Sequence, residues 1–490
     1  MNPHIQWAIE DVRGRLDHYR LMEDYYEGKH RLVFATEKFR NAFGDLFREF
    51  ADNMCDDVVD EPVNRLTWQG WTAKTPAIAQ AAIEKWEACR GDARAGSVHR
   101  DAWGKGDGFL LVWPDSNGVS RMYPQRPEQM AVKYDDDCPD MLTVAAKVWR
   151  DGKRFRLNLY YVDRLERFTT RGTTNTGGLP AAKNFVPYTE IRPDGTIQEA
   201  VEFHDWGMPV WHFPADEVSR YGRSVLADVV PLQDALNKTV ADMLVAMEFH
   251  ALPQRWATGV QVEKDTQGNE VSPFKTGGER VWWTASEKST FGQFAQADLV
   301  GFLDVQDGFR LEIARKGFLP AYMVNVRGTH SGSAPSGISL LIAEGRLVKR
   351  VKDAQRDWGP DWQGAMAQML KMDGLAVDEA ADLDIEWAEP STKDEKALME
   401  VLQIKVNDLG VTKHQAQIES GYDPELIAEM EDDKAAAAPA FGPPGGANGF
   451  PPGGRTTPVA GGAQNALAEA LGMGMGGPGQ MNGAPMPTGG

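Results

Sequence analysis

Apolar positions recur at helical spacing, then alternate, then return to helical spacing through most of the second half. Ile5, Ile9, Val12, Leu16, Tyr19 and Tyr26 fall at three- and four-residue steps, which predicts a helix over 5–27 ended by Gly28. Phe43 to Val59 carries a second helical pattern. An Ala-rich third runs to Cys89, with Thr75 placed as its cap and Pro76 in its first turn. Between Gly108 and Thr169 the runs 109–113, 143–149 and 156–162 read as strands. Turn clusters at 115–118 and Asp151-Gly152 separate them. A proline-punctuated stretch, Met208 to Pro214, leads into the helical half. The first 220 residues therefore predict an α+β body.

From Ser224, a capping residue, the apolar stripe Val225, Leu226, Val229, Val230, Leu236, Val240, Met243, Leu244 and Met247 predicts helix as far as His250. Pro231 predicts a break, giving a short helix and then a longer one. A polar, Gly-rich excursion to about Ala295 contains strand-like runs at 255–262 and 280–284, with the turn 266–269 between them. A return helix, Asp298 to Lys316, places Leu299, Phe302, Leu303, Phe309 and Ile313 on one face. The loop Asn325–Ser336 is rich in Gly, Ser and Thr, and Ser336 is placed to cap a helix reaching Met372. Gly359-Pro360 is expected to bend or split that helix. Thr392-Lys393-Asp394-Glu395 reads as a capping box opening a helix to Leu409, with restarts near Thr412 and Asp423-Pro424. From about Ala435 the chain is mostly Ala, Gly, Pro and Met. Such a segment buries too little apolar surface to offset its ordering entropy and is expected to be a disordered tail over 435–490.

Composition narrows the function. At 490 residues the chain is long enough for several domains around a sizeable core. The net charge of −19 argues against a dedicated binder of nucleic-acid phosphates, which needs clustered Lys and Arg, but is compatible with a surface that lets DNA slide past. Cys55, Cys89 and Cys138 lack C-x-x-C spacing, so reduced thiols are expected rather than disulfides or a zinc site. The amino-terminal residues show no basic and apolar leader, so secretion is not expected, and no run of about 20 apolar residues predicts a membrane span.

The motifs of catalysis are missing. No Gly-Lys-Ser or Gly-Lys-Thr occurs to cradle phosphates and hold magnesium, and no G-x-S-x-G to seat a nucleophile. Ser331 and Ser333 lie near His330, but sequence adjacency is not a nucleophile–base geometry. The acidic run 135–140 lacks calcium-loop spacing and reads as a solvated turn. A metal-dependent nuclease built from Asp140, Asp394 and Lys396 is one alternative, although those residues fall in regions that read as separate domains. A non-viral protein-binding adaptor is another. No cofactor is expected. The cations Arg346, Lys349, Arg350, Lys352 and Arg356 form a basic face on the long helix, partly offset by Glu344, Asp353 and Asp357. They read first as a solvated face, and otherwise as contacts to DNA or another subunit.

Several segments, in order, resemble the portal proteins of tailed bacteriophages, siphophage type. They are Tyr25-Tyr26-Glu27-Gly28, Asn53 with Val58-Val59-Asp60, Pro62 to Leu66 with Gly70-Trp71, and Tyr221 to Leu226. Ile313-Ala314 to Pro320, Ser333 to Leu340, and Gly410 to Glu431 continue the series. The likeness implies a mainly helical α+β subunit with wing, stem, clip and crown regions. Residues 1–223 would be wing, 224–250 the first stem helix, 251–295 clip, and 296–318 the second stem helix. Residues 319–336 would be the tunnel loop, 337–390 the long wing helix and its return, and 391–434 the crown. It further implies a non-enzymatic, dodecameric ring at one capsid vertex of the virion, a channel that packages and ejects double-stranded viral DNA. The implied partners are the terminase large subunit, a head–tail adaptor, and scaffolding and major capsid proteins. DNA-facing candidates are Arg310, Arg315 and Lys316 on the return helix, with Arg327 and His330 in the loop. The tail after Ala435 departs from the compact ending of that family.

Overall fold

Helix α1 (Pro3–Tyr26) starts where local chemistry allows. The Asn2 side chain accepts the His4 N–H, and Pro3 supplies a first-turn residue with no N–H to satisfy. It ends at Gly28, whose φ of +74° only glycine adopts without strain. In this computed structural model the described residues are 2–30, 52–172, 178–191, 195, 197–215, 220–251, 255–260, 263–264, 267, 270–271, 288–293, 299–324, 337–375, 383–392, 395–420, 427 and 430. The chain divides into two units, residues 1–395 and 396–490.

In the first unit, α2 (Cys55–Arg65), β1 (Trp68–Ala73), α3 (Pro76–Ala88) and α4 (Gly91–Lys105) follow α1. Residues 52–54 are non-helical, so the apolar pattern from Phe43 to Val59 is not one helix. The helix begins at Cys55 and runs on to Arg65, and residues 43–51 lie outside the described residues. Asn53, a helix-breaking turn residue, donates to the Tyr26 carbonyl and accepts the Cys55 N–H, which fixes the break. Thr75 occupies the N-cap of α3 but its side chain makes no capping bond.

The strands continue as β2 (Asp107–Pro114), β3 (Ser120–Gln125), β4 (Met130–Tyr134), β5 (Leu142–Asp151), β6 (Arg154–Tyr160) and β7 (Arg164–Thr170). They end with β8 (Phe185–Pro187), the short pair β9 (Glu190–Ile191) and β10 (Ile197–Gln198), β11 (Val201–Phe203) and β12 (Val210–Pro214). One sheet has the order β11-β7-β6-β5-β4, with β8 also on β7, and a second has the order β12-β2-β3. The proline-punctuated stretch before the helical half is thus partly a strand, with Val210 to Phe213 paired antiparallel to Leu111 to Gly108. Its prolines stand at the strand's limits, where a missing N–H costs least. Helix α1 covers one face of the larger sheet, packing Ile5, Ile9 and Val12 on Val144, Val148, Leu157 and Leu159. Phe109, Met130, Val132, Tyr160, Leu165 and Val210 form a further apolar cluster that joins the two sheets.

After Ser224 a short 3-10 turn (Val225–Asp228) gives way to α5 (Val230–Ala251), the break expected from Pro231. Helix α6 (Leu299–Gly317) packs on α5. Between them, β13 (Arg255–Thr258) pairs with β16 (Thr290–Gln293), and β14 (Glu263–Lys264) with β15 (Glu270–Val271); of the expected turn 266–269 only Gln267 is among the described residues. The expected strand 280–284 lies outside the described residues, and the partner of β13 is 290–293. Helix α7 (Gly337–Met372) is continuous through Pro360 rather than split. The physical reason is anchorage on both sides of that proline. Trp358, 2% exposed, donates its indole N–H to the Pro214 carbonyl at 2.8 Å. Trp362, fully buried, donates to His99 Nε2 at 2.9 Å. Burying two indoles outweighs the roughly 3 kcal/mol a mid-helix proline costs. Strand β17 (Leu383–Trp387) returns from α7 to pair antiparallel with β1. The principal core lies here, where Trp358, Trp362 and Trp387 pack against His99, Trp68 and Trp71 pack on Trp86, Trp86 packs on Trp362, and Trp103 packs on Trp358.

Helix α8 (Glu395–Asp408) leads into the second unit, where α9 (Lys413–Glu419) is capped by Thr412, whose hydroxyl accepts the Gln415 N–H. The Thr392 hydroxyl donates to Glu344, and Lys393 and Asp394 of the expected capping box lie outside the described residues. Residues 421–426, and the tail from 431, lie outside the described residues. The mixed helix and strand content is α+β.

Candidate functional site

The elbow at Tyr221 to Ser224 joins the two halves, and each of its residues has a defined task. Burial raises the Tyr221 pKa and keeps its hydroxyl protonated, so it donates to Asp11 Oδ2 at 2.6 Å while accepting the Val132 N–H at 2.9 Å. The Arg15 guanidinium lies 3.5 Å over its ring. The Gly222 N–H donates to Asp107 Oδ1 at 2.8 Å, and a Cβ at Gly222 would stand 2.0 Å from the Gly106 carbonyl oxygen. Buried Asp107 also accepts from the Tyr19 hydroxyl at 2.6 Å and from His212 Nε2 at 2.8 Å, leaving His212 Nδ1 to accept from Tyr134. Ser224 donates its hydroxyl to the Gly104 carbonyl and accepts the Leu226 N–H, starting the helical turn. The elbow is thereby bonded to α1, α4 and both sheets, which fixes the direction in which α5 leaves the body.

Beside the elbow a cleft of about 510 Å³ opens among the elbow, the end of α6 and the side of α7. Arg223, Lys316, Phe318, Arg350, Asp353 and Asp357 line it. Phe318 is the residue that terminates α6. Its φ of +65° is left-handed, and the Leu319 N–H reaches back to the Ala314 carbonyl at 2.9 Å. A glycine is the usual occupant of that position, and the neighbouring Gly317 is instead used for close packing, since a Cβ there would meet Val58 at 2.6 Å. The phenyl ring lies under two cations of α7, with the guanidinium of Arg346 at 4.8 Å and that of Arg350 at 4.5 Å. Cation–π attraction therefore ties the end of α6 to the middle of α7.

A second tie is Glu344 of α7, 3% exposed. Burial alone would push its carboxyl up. Hydrogen bonds from Arg65 (3.0 Å), the Tyr322 hydroxyl and the Thr392 hydroxyl (2.7 Å), with the Arg65 charge, outweigh that and hold it down at about 2. One carboxylate thus connects α2, the segment after α6, α7 and the chain leaving β17.

The cations named from the sequence separate into groups. Arg310 is committed to Asp52 at 2.9 Å and Asp307 at 3.2 Å, holding α6 against the segment before α2. Arg315 pairs with Glu312, Lys352 with Glu389, and Arg356 with Asp353 and Asp357. Lys316, Arg346 and Arg350 converge at the Phe318 cleft, and Lys349 is exposed on α7. Arg327 and His330 lie outside the described residues. Arg223 and Phe318 were not singled out by the residue pattern. The signal for Phe318 was faint, a Gly-Phe pair just past the last apolar position of α6.

The acidic run 135–140 is a turn between β4 and β5. Asp135 accepts the Asp137 and Cys138 N–H groups, and those bonds lower its pKa. Asp394 lies outside the described residues. Among the described residues, no group of three or more His, Cys, Asp or Glu is placed to hold a metal ion, and no helix is long and apolar enough to cross a membrane. Cys55 and Cys89 are buried thiols and Cys138 is exposed, none of them in a disulfide.

The family profile described as "Phage portal protein, SPP1 Gp6-like" matches residues 5–440. A search of curated proteins returns no match. Among solved structures, the chain is similar to one from the virion of a native gene transfer agent particle. That match has 12% identity and a TM-score of 0.46, covering 80% of this chain and 95% of the other. It is also similar to a chain from the neck of the native particle computed with C12 symmetry, with 10% identity and a TM-score of 0.45, covering 76% and 90%. A chain from the neck of the empty particle, computed with C6 symmetry, has 12% identity and a TM-score of 0.45, covering 80% and 95%.

Proposed function

The chain belongs to the SPP1 Gp6-like phage portal proteins, virion components that form the genome's passage at one capsid vertex, and on that premise we propose how its segments divide the work. Residues 1–223 are the wing body, 224–250 and 296–318 the stem, 251–295 the clip, 319–336 the tunnel loop, 337–390 the long wing helix and its return, and 391–434 the crown. The observation that carries this division is the order of elements. Helices α5 and α6 pack together and hold a small β excursion between them, and the chain then passes through 325–336 into a helix of 36 residues. The elbow, the Phe318 contact and the Glu344 node are the fittings that hold stem and long helix to the body.

Twelve copies close into a ring by a heterologous interface that repeats around the axis. Double-stranded DNA moves through it without being read, and the terminase large subunit, a head–tail adaptor, scaffolding and major capsid proteins dock around it. The family is a structural one, and we assign the chain no catalytic step. A net charge of −19 per chain repels phosphates in general, which keeps the passage from gripping, because strong cation contacts bind by releasing counterions. Weak touch points remain at Arg315 and Lys316 and, in the loop, at Arg327 and His330. The carboxylate partners of Arg310 give it a packing role as well.

Native mass spectrometry of the full chain tests the reading. Rings of twelve, or thirteen when assembled without a capsid, are the expected species. A strictly monomeric or dimeric protein at high concentration would count against the ring. Metal-dependent cleavage of DNA that is lost on Asp140→Ala would favour a nuclease instead.

A further inference from the structure

The larger sheet ends on β11, a three-residue strand whose outer side meets no other strand among the described residues. Its register against β7 decides which backbone groups are already used. Val201 lies opposite Glu166, Glu202 opposite Leu165, and Phe203 opposite Arg164. The Arg167 N–H donates to the Ala200 carbonyl and the His204 N–H to the Asp163 carbonyl, so residues 200, 202 and 204 are the ones that bond inward. In an antiparallel ladder the alternate residues, Val201 and Phe203, then turn their N–H and C=O groups outward.

The side chains at this edge are open too. Phe203 is 74% exposed and Val201 38%. Both stand on the sheet face that α1 covers farther in, over β4 to β6, and they lie beyond its cover. The preceding hairpin adds Ile191 and Ile197, cross-strand partners of each other and 73% and 63% exposed. Natural edge strands are blunted by shortness, an outward charge, a proline or a bulge, and β11 relies on its three-residue length while presenting apolar side chains beside outward-facing backbone groups. Its surroundings are acidic. Asp163, Glu166, Glu199, Glu202 and Asp205 are set around it with Arg164 and Arg167, and both arginines are engaged, Arg164 by Asp163 and Glu166, Arg167 by Glu202.

We propose that the outer edge of β11 receives an extended segment of a partner protein, added as a further strand, in which apolar side chains alternate with lysine or arginine. Main-chain bonds to Val201 and Phe203 supply the attachment, the apolar side chains cover Val201 and Phe203, and the cations meet the surrounding carboxylates. The inference stands on the sheet alone and does not depend on ring formation.

The test uses the full-length protein and two blocked, fluorescent five-residue peptides, Lys-Val-Thr-Val-Lys and Glu-Val-Thr-Val-Glu, read by anisotropy. The lysine peptide is expected to bind saturably and the glutamate peptide at least roughly tenfold more weakly. Val201→Pro removes an outward N–H and the valine side chain while leaving the inward bonds of residues 200, 202 and 204 to β7 in place, and Phe203→Lys places a charge on the edge. Each is expected to weaken the lysine peptide at least about tenfold while leaving Tm and particle mass unchanged. Hydrogen–deuterium exchange in the unaltered protein is independent of the variants: the peptide should slow the amides of residues 201–203. Absence of saturable binding, equal binding of the two peptides, or binding indifferent to both substitutions would overturn the proposal. Lost rings with intact peptide binding would instead count against the portal assembly.

Discussion

At the scale of single residues, the positions that organise this chain are those where a side chain does something its sequence neighbours cannot. Phe318 accepts a left-handed backbone that costs a non-glycine residue roughly 1–2 kcal/mol, and two cation–π contacts of about 0.5–1 kcal/mol each offset it. Phe318→Ala keeps the strain and loses the ring, whereas Phe318→Gly loses the ring and relieves the strain. Thermal or chemical denaturation should therefore rank glycine above alanine by about 1 kcal/mol. The reverse order would mean that the backbone there is not strained. Glu344 makes a pH prediction whose sign is fixed by its depressed pKa. The folded value is about 2 against an ordinary 4.5. Its contribution is fully present above pH 4.5 and is lost as pH falls through 2. Over that window Glu344→Gln should lose less stability than the parent, and parallel Tm–pH curves would remove Glu344 from the acid response. Neither residue was legible beforehand. Glu344 sat among helix-face charges, and only the approach of Arg65, 279 positions away in sequence, distinguishes it.

At the scale of elements, periodicity located α1, α5, α6 and α7 well, because one apolar face on a long helix repeats often enough to be read through local noise. It was weaker for short strands. β1 and β17 lie 310 or more residues apart in sequence, and each is stable only against the other. Helix α7 is the informative case. Pro360 is exposed, so its local preference for a break is overruled by Trp358 and Trp362, which bond to Pro214 and His99 on either side. Pro360→Ala restores a helix N–H without removing packing and should raise stability by about 1–3 kcal/mol, seen as a higher Tm. An unchanged or lower Tm would mean that the backbone shape imposed by proline is what seats the two tryptophans. The Thr392 hydroxyl donates to Glu344, itself held by Arg65 and Tyr322, a contact between elements that no local pattern announces.

At the scale of the whole molecule, the portal serves the passage of DNA. Arg327→Ala, or a shortened 325–336 loop, should leave rings intact yet impair packaging or retention, measured as the length of genome in capsids carrying the variant portal. Normal packaging and retention with the loop deleted would take the loop out of the mechanism while leaving the ring assignment standing. Family membership was within reach of the sequence, because it rests on an order of short motifs spread over most of the chain, and order survives when each motif is weak. Sequence also determined the α+β class, the main helices and the absence of common catalytic motifs, since these follow from local spacing and composition. Tertiary structure alone decided how the motifs work. Tyr221, Gly222 and Ser224 are an elbow only because Asp11, Asp107 and Gly104 come to meet them. It also decided which cations are spent on carboxylates and which gather at Phe318, and that the outward groups of Val201 and Phe203 meet no other strand among the described residues. Charge pairing and strand register depend on partners distant in sequence, and no local pattern encodes which distant partner arrives.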